Sequence, residues 1–118
     1  MGKIINKTRK EVLAVSYRSC RSIRSKARGL MLTLPSSVLD NSLVFEFDAP
    51  AHQSMHMFLV FYPIDVLFLD GNKRVVDMKE RFLPFTIYNS KVLSKHVIEL
   101  PAGRIRQSST AVGDVVAW

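Results

Sequence analysis

The fold is decided by residues 64–72, which read Ile-Asp-Val-Leu-Phe-Leu-Asp-Gly-Asn. A nearly continuous apolar run such as Ile64–Leu69 is typical of a strand that is buried on both faces. The Asp-Gly-Asn that follows predicts a tight hairpin turn, because glycine tolerates the positive φ that such turns require. We therefore predict that residues 74–82 form the next strand and pair back against this one.

Short strand patterns continue on both sides of the hairpin. An N-terminal hairpin is predicted from residues 4–5 and 12–17, and further strands are predicted at 43–47, 53–61, 86–88, 96–100 and 115–118. Helical periodicity occurs once, over residues 22–32. A single helical turn is also expected after Gly103. The sequence thus predicts an all-β fold, mainly an antiparallel sandwich or open barrel, with one short amphipathic helix near the N-terminus.

Length and composition fit one globular domain spanning residues 1–118. Domains typically hold ~100–200 residues, and 47% hydrophobic with 23% charged residues is ordinary for such a domain. This composition excludes a disordered or low-complexity chain. No apolar run approaches the ~20 residues that span a bilayer, so no membrane span is predicted. The single Cys20 fits a reducing compartment, and we predict a cytoplasmic protein.

Positive charge is concentrated at the front of the chain. The net charge is +7, of which residues 1–28 carry +8 and the remainder −1. Arg21, Arg24 and Arg28 would lie together on one side of the predicted helix. Such a ridge could bind nucleic acid or another polyanion through phosphate contacts. A solvated basic face without a partner is the favoured interpretation, because no aromatic residues are interleaved with these cations.

Polar residues suited to chemistry cluster in the middle of the chain. Ser54, His56, Asp65 and Asp70 are the candidate binding residues. Asp65 lies inside an apolar run, so it should be either paired structurally or lining a ligand pocket, since burying a lone carboxylate is costly. Asp70 is more simply a turn residue that bonds its own backbone. A small enzyme that uses Asp65 with Ser54 or His56 is the alternative from a different functional class.

No catalytic, metal or cofactor motif is complete. His52 and His56 would lie about 13 Å apart on one strand face, too far to share one zinc ion. Cys20 lies among arginines that favour its thiolate form, but no base is placed beside it. No glycine-rich phosphate loop occurs. We therefore predict no metal, no cofactor and no catalytic residues.

Six short motifs occur in a fixed order that resembles a known family. They are Gly29-Leu30-Met31, Ser54-Met55-His56-Met57, Pro63-Ile64-Asp65, Phe68-Leu69-Asp70, Glu99-Leu100-Pro101-Ala102-Gly103 and Gly113-Asp114. The ordered set is similar to domain-of-unknown-function family 192, also called uncharacterised protein family 0127. The resemblance runs from about Asn6 to Trp118 and implies a compact β-rich fold with no established activity, substrate or cofactor.

The chain departs from this family pattern at several polar positions. Many members have Trp where His56 stands and Lys-Asn-Thr where Phe58-Leu59-Val60 stand, and Thr33 falls near a frequent arginine. Polar groups that could form a pocket are therefore replaced by apolar ones. These departures argue against an enzyme. The leading hypothesis is a non-enzymatic binding or accessory domain whose partner is a small ligand or a protein, with nucleic acid not favoured.

Overall fold

The computed structural model describes residues 2–20, 42–51, 54–56, 64–82, 87–89 and 92–118. These residues form ten strands and one helix. The elements are β1 (Ile4–Asn6), β2 (Glu11–Ala14), β3 (Tyr17–Cys20), β4 (Ser42–Ala51), β5 (Ser54–His56), β6 (Ile64–Leu69), β7 (Val75–Phe82), β8 (Ile87–Asn89), β9 (Ser94–Pro101), α1 (Arg104–Ser108) and β10 (Val116–Ala117). The predicted β-rich fold is confirmed.

The strands form three sheets. A five-stranded sheet has the order β3-β4-β9-β6-β7, a three-stranded sheet has the order β10-β1-β2, and β5 pairs with β8. All of these pairings are antiparallel except β3 with β4. The predicted hairpin around Gly71 is present as the antiparallel pair β6 and β7. The central strand of the large sheet is β9, which pairs with β4 on one side and β6 on the other.

The main hydrophobic core lies between the five-stranded sheet and the smaller elements. Ile4 and Leu13 of the three-stranded sheet and Ile105 of α1 pack against inward-facing residues of the large sheet, among them Leu67 and Ile98. All five are at most 2% exposed. Burying an aliphatic side chain of this size contributes about 1.5–3 kcal/mol, so this layer supplies much of the stability of the described fold.

The opposite face of the large sheet is buried as well. Cross-strand neighbours on this face include Phe45, Val97 and Phe68, which lie in register on β4, β9 and β6. Their exposure is 5%, 0% and 0%. Every residue of β6 is buried, as its continuous apolar run predicts. A polar residue in the middle of this sheet is therefore withdrawn from solvent whichever face it occupies.

Two predicted strand boundaries are wrong. Residues 12–17 were expected to form one strand, but β2 ends at Ala14 and Tyr17 begins β3, which joins the other sheet. The turn at Val15 and Ser16 allows the chain to leave one layer and enter the next. The strand predicted at 43–47 is likewise longer than expected: β4 continues to Ala51, and its register against β9 shifts after Glu46.

The described helix lies near the C-terminus. α1 spans Arg104–Ser108 and follows Gly103, whose φ of 96° favours glycine. It corresponds to the helical turn expected after Gly103. The amphipathic helix predicted for residues 22–32 lies outside the described residues.

A polar network joins the two ends of the chain. The side-chain amide of the fully buried Asn6 donates to Thr110 Oγ1 (2.9 Å) and to Asp114 Oδ2 (3.0 Å). Arg9 Nε donates to the same carboxylate oxygen at 2.9 Å. Burial by itself raises the pKa of Asp114, but hydrogen bonds from Asn6, Arg9 and the Ala111 N–H outweigh it, so the pKa is lowered. The network fastens the N-terminal hairpin to the segment that precedes β10.

Candidate functional site

Both carboxylate oxygens of Asp65 accept hydrogen bonds from backbone amides of the described residues. The side chain is fully buried, and its Oδ1 accepts a hydrogen bond from the Arg81 N–H (2.9 Å). Its Oδ2 accepts from the N–H groups of Gly103 (3.0 Å) and Ile105 (2.9 Å). The carboxylate therefore ties the end of β7 to the start of α1. These contacts give Asp65 a structural role, the first of the two alternatives left by the sequence.

The local geometry explains why a carboxylate is needed there. Between Ile64 and Val66 the register of β6 against β7 shifts, and Arg81 in the shifted segment has a φ of 50°. Such a bulge removes one N–H from the strand ladder, and the start of a helix leaves further N–H groups without partners. A buried carboxylate can accept all of these hydrogen bonds at once.

Asp70 closes the β6–β7 hairpin. Its Oδ1 accepts hydrogen bonds from the N–H groups of Asn72 (2.9 Å) and Arg74 (3.0 Å). The side chain thus bonds its own turn, as the sequence suggested. These contacts do not bring Asp70 together with Asp65, which lies at the other end of β6.

The remaining predicted residues are placed only in part. Ser54 and His56 lie on β5, opposite Asn89 and Ile87 of β8, in a different sheet from Asp65. Their side chains lie outside what the structure describes. Arg21, Arg24 and Arg28 also lie outside the described residues, so polyanion binding stays a prediction.

Glu99 is a buried carboxyl group that the sequence interpretation missed. It lies on β9 between Leu43 of β4 and Val66 of β6 and is 3% exposed. Within the described part of the chain, its Oε2 has no hydrogen-bond partner. Burial raises the pKa of Glu99 to about 8. The group is therefore mostly protonated at neutral pH, because ionisation would leave an unpaired charge in apolar surroundings.

A cleft opens at one end of the five-stranded sheet, next to the last residues of the chain. It has a volume of about 230 Å³ and is lined by Tyr17, Ser19, Val44, Glu46, Lys73 and Trp118. We call it the His96 cleft, because His96 lies directly behind its wall. The ring of His96 packs edge-on against Trp118, with ring centres 5.1 Å apart and an interplanar angle of 76°.

The cleft carries both signs of charge. The ammonium group of Lys73 lies 4.2 Å from the centre of the Trp118 ring, a cation–π contact. The Glu46 carboxylate lies across the strand pair from His96, with Oε2 3.6 Å from Nδ1. That distance is too long for a hydrogen bond, and among the described residues Nδ1 has no hydrogen-bond partner. An ammonium group and a carboxylate thus line one small cavity beside two aromatic rings.

The protonation of His96 is set by opposing influences. Burial lowers its pKa below the usual 6.5, Glu46 raises it, and Lys95 and Lys73 lower it further. Burial prevails, so the ring is neutral at pH 7. Because the pKa of His96 is lower in the folded state than the usual 6.5, the unfolded state takes up a proton first when the pH falls below 6.5. The free energy of unfolding therefore decreases on acidification below pH 6.5.

Removing the charge of Glu46 is expected to lower the pKa of His96 still further. Glu46 raises the pKa of His96 more than the other carboxylate that acts on it, Asp70, so in Glu46→Gln burial and the two lysines are opposed only by the weaker influence of Asp70. An NMR titration of the His96 ring protons measures this directly. The control Glu80→Gln changes an exposed carboxylate on β7 and should leave the titration unchanged. A higher His96 pKa in Glu46→Gln would contradict this electrostatic description.

Comparison with known proteins places the chain in a family. The model of domain-of-unknown-function family 192, described as an uncharacterised ACR, matches residues 4–118. The chain belongs to this family. A UPF0127 protein from Thermococcus sibiricus is 34% identical over 115 residues, which is 98% of this chain and 73% of that protein. One from Pyrococcus abyssi is 33% identical over 118 residues, covering all of this chain and 98% of the relative. The resemblance found in the sequence is confirmed.

Solved structures share the fold of this member of family 192. A crystal structure of a Sinorhizobium meliloti 1021 protein, called a candidate transcription regulator, superposes with a TM-score of 0.83 at 20% identity, over 98% of this chain and 89% of that one. A protein of unknown function from Novosphingobium aromaticivorans DSM 12444 gives a TM-score of 0.82 at 20% identity, over 98% and 82%. At this identity the likeness concerns the fold.

The described residues of this family 192 chain include neither a metal-binding cluster nor a membrane-spanning helix. Within those residues, no group of three or more His, Cys, Asp or Glu side chains is arranged to hold a metal ion. Nor does any helix among them have the length and apolar character needed to cross a membrane.

The sequence pattern could have indicated the buried Glu99, but it could not have indicated the residues of the His96 cleft. Glu99 interrupts an apolar strand just as Asp65 does, so the reasoning applied to Asp65 would have selected it too. The residues that line the His96 cleft come from β3, β4, the β6–β7 turn and the C-terminal end. Their spacing along the chain shows no motif, because only the folded topology brings them together.

Proposed function

We propose that this chain is a non-enzymatic binding domain that holds a small molecule in the His96 cleft. The observation that carries the proposal is the cleft itself, which is lined jointly by Lys73, Glu46 and Trp118. Binding pockets combine apolar and aromatic walls with a few placed polar groups. The lone Cys20 supports a reducing compartment, so we place this activity in the cytoplasm.

The size of the cleft limits the ligand. Pockets for drug-sized molecules occupy roughly 300–1,000 Å³, and the His96 cleft is smaller, at about 230 Å³. The ligand is therefore a small polar metabolite rather than a nucleotide or a peptide. Binding requires only the contacts described, whereas nucleophilic catalysis would also require a hydroxyl or thiol that is hydrogen-bonded to a base.

Tryptophan fluorescence provides the test. Trp118 is the only tryptophan in the chain and lines the cleft, so its emission reports on occupancy. The purified protein is titrated with a panel of small amines, carboxylates, amino acids, monosaccharides and nucleobases. We expect at least one compound to give a saturable change in emission.

A blocking variant makes the test specific. Ser19 is exposed on β3 at the mouth of the cleft, so Ser19→Phe should fill the space without removing a core contact. The matched control, Glu80→Phe, adds the same ring to exposed β7, at the opposite edge of the sheet. Binding should be lost in Ser19→Phe and kept in Glu80→Phe. The proposal is overturned if no compound binds, or if binding survives Ser19→Phe.

A further inference from the structure

The positive charge of Lys73 is not matched by a carboxylate. Within the described part of the structure, the Lys73 ammonium group makes no ion pair, and its contact is with the ring of Trp118, whose centre lies 4.2 Å away. A cation–π contact attracts an ammonium group to the ring but leaves its net charge in place. Lys73 therefore brings an uncompensated positive charge to the wall of the His96 cleft.

The Glu46 carboxylate is engaged by other neighbours. It lies on β4 directly opposite His96 of β9, with its Oε2 3.6 Å from Nδ1 of that ring. Glu46 also takes part in a further interaction, in which Lys73 is not the partner. Of the two charged residues that line the cleft, Lys73 is thus the one whose charge is left for a ligand.

The backbone fixes the position of Lys73 in advance. Lys73 lies in the β6–β7 turn with a φ of 63°. Its N–H donates to the Asp70 carbonyl oxygen (3.0 Å), and its carbonyl oxygen accepts from the Val116 N–H (2.9 Å). The ring of Trp118 then supports the side chain. A cation held in this way loses little conformational freedom when an anion binds, which favours recognition.

We infer that the ligand of the His96 cleft is a small monocarboxylate, whose negative charge binds the Lys73 ammonium group. This inference rests on the proposed function, since it names the chemical class of the molecule held there. The cleft volume of about 230 Å³ restricts the ligand to a short carbon chain. Tyr17, Val44 and Trp118 line the same space and supply apolar surface for that chain.

The number of charges on the ligand follows from the presence of Glu46 in the cleft wall. A second anionic group on the ligand would lie in the same small space as the Glu46 carboxylate. Like charges at short range repel each other most where little water separates them. A dicarboxylate or inorganic phosphate should therefore bind less tightly than a monocarboxylate.

The test compares each acid with the amide of the same shape. Acetate, propionate and lactate are titrated into the protein by isothermal calorimetry, beside acetamide, propionamide and lactamide. Ethylamine, succinate and inorganic phosphate complete the series. We expect the best monocarboxylate to bind about 10-fold more tightly than its amide, because hydrogen bonds to charged groups are stronger than those between neutral groups. The other three compounds should bind less tightly than this acid.

Two substitutions at Lys73 assign the charge that recognises the ligand. Lys73→Met keeps an unbranched side chain in the turn but removes the charge, and it should weaken binding of the acid about 10-fold while leaving that of the amide unchanged. Lys73→Arg retains a cation and should restore most of the affinity. The control Lys7→Met removes an exposed positive charge outside the cleft and should have no effect. Calorimetry is the readout because both Lys73 variants alter the surroundings of Trp118.

The failure of this inference is distinct from failure of the binding proposal. The inference is overturned if no monocarboxylate binds, if an amide, succinate or phosphate binds as tightly as the best acid, or if Lys73→Met binds that acid as wild type does. In those cases another compound of the panel that is blocked by Ser19→Phe would still support the cleft as a binding site. A panel in which nothing is blocked by Ser19→Phe overturns both.

Discussion

Replacing Glu99 by glutamine is expected to stabilise the protein at pH 8 by about 4 kcal/mol. The carboxyl group is 3% exposed between Leu43 and Val66, and burial raises its pKa from 4.5 to about 8. In the unfolded chain the group ionises near pH 4.5, so folding at higher pH requires it to take up a proton. Glutamine has nearly the same shape and carries no charge, so this cost disappears.

The sign of the effect of Glu99 on the free energy of unfolding follows from its protonation in the folded and unfolded states. Below pH 4.5 Glu99 is protonated in both states and has no effect on the free energy of unfolding. Between pH 4.5 and about 8 the unfolded state loses the proton first, so wild-type stability falls by about 1.4 kcal/mol per pH unit from this group. Above pH 8 the penalty is complete and constant. The acid-side loss due to His96 is common to both proteins and cancels in their difference.

Urea unfolding of wild type and Glu99→Gln at several values between pH 5 and 9 measures this difference. Glu80→Gln is the matched control, since Glu80 is exposed on β7, and its unfolding curve should follow that of wild type at every pH. Parallel pH profiles for wild type and Glu99→Gln would contradict the assignment of a buried, protonated Glu99.

Replacing Asp65 by alanine is expected to destabilise the protein by about 4 kcal/mol or more. Three buried or half-buried N–H groups, those of Arg81, Gly103 and Ile105, would lose their acceptor together. Each unsatisfied buried donor costs about 1–3 kcal/mol. Breaking a buried hydrogen-bond network is one of the few ways in which a single substitution costs more than about 4 kcal/mol. The denaturation midpoint should fall strongly, with loss of order at both β7 and α1.

Asp70→Ala is the control for this prediction. It removes the same carboxylate from the other end of β6, where the two N–H groups it accepts from are in an exposed turn and can bond to water. We expect a loss of about 1 kcal/mol. Equal effects of the two substitutions would argue against the structural role of Asp65. A stable Asp65→Ala that had lost ligand binding would instead favour the alternative in which Asp65 lines a pocket.

The sequence predicted those parts of the fold that local patterns encode. The run Ile64–Leu69 predicted a buried strand and the turn at Gly71 predicted its hairpin. Both predictions were possible because an unbroken apolar run and a glycine in a tight turn are local features of the sequence. The split between β2 and β3 at Val15 was not predictable in this way. Tyr17 joins β4 in parallel, and such a pairing depends on residues about 25 positions away.

The candidate site was harder to predict than the fold. Asp65 and Asp70 were selected by their residue type, and both carboxylates accept hydrogen bonds from the backbone. Lys73, Glu46 and Trp118 are unremarkable in the sequence, where each fits an exposed or terminal position. They come together because β4 and β9 pair in register and the β6–β7 turn folds over the last strand. Spacing along a chain does not record such contacts.

The most direct measurement of the central claim is the NMR signal of the single indole N–H, that of Trp118, during titrations with the same panel of small amines, carboxylates, amino acids, monosaccharides and nucleobases. The account predicts a saturable shift of this signal and of the backbone amides of Tyr17, Ser19 and Lys73, which surround the cleft. The amide of Glu80, at the far edge of the sheet, should not move. An unmoved indole signal, or shifts confined to residues outside the cleft, would contradict the account.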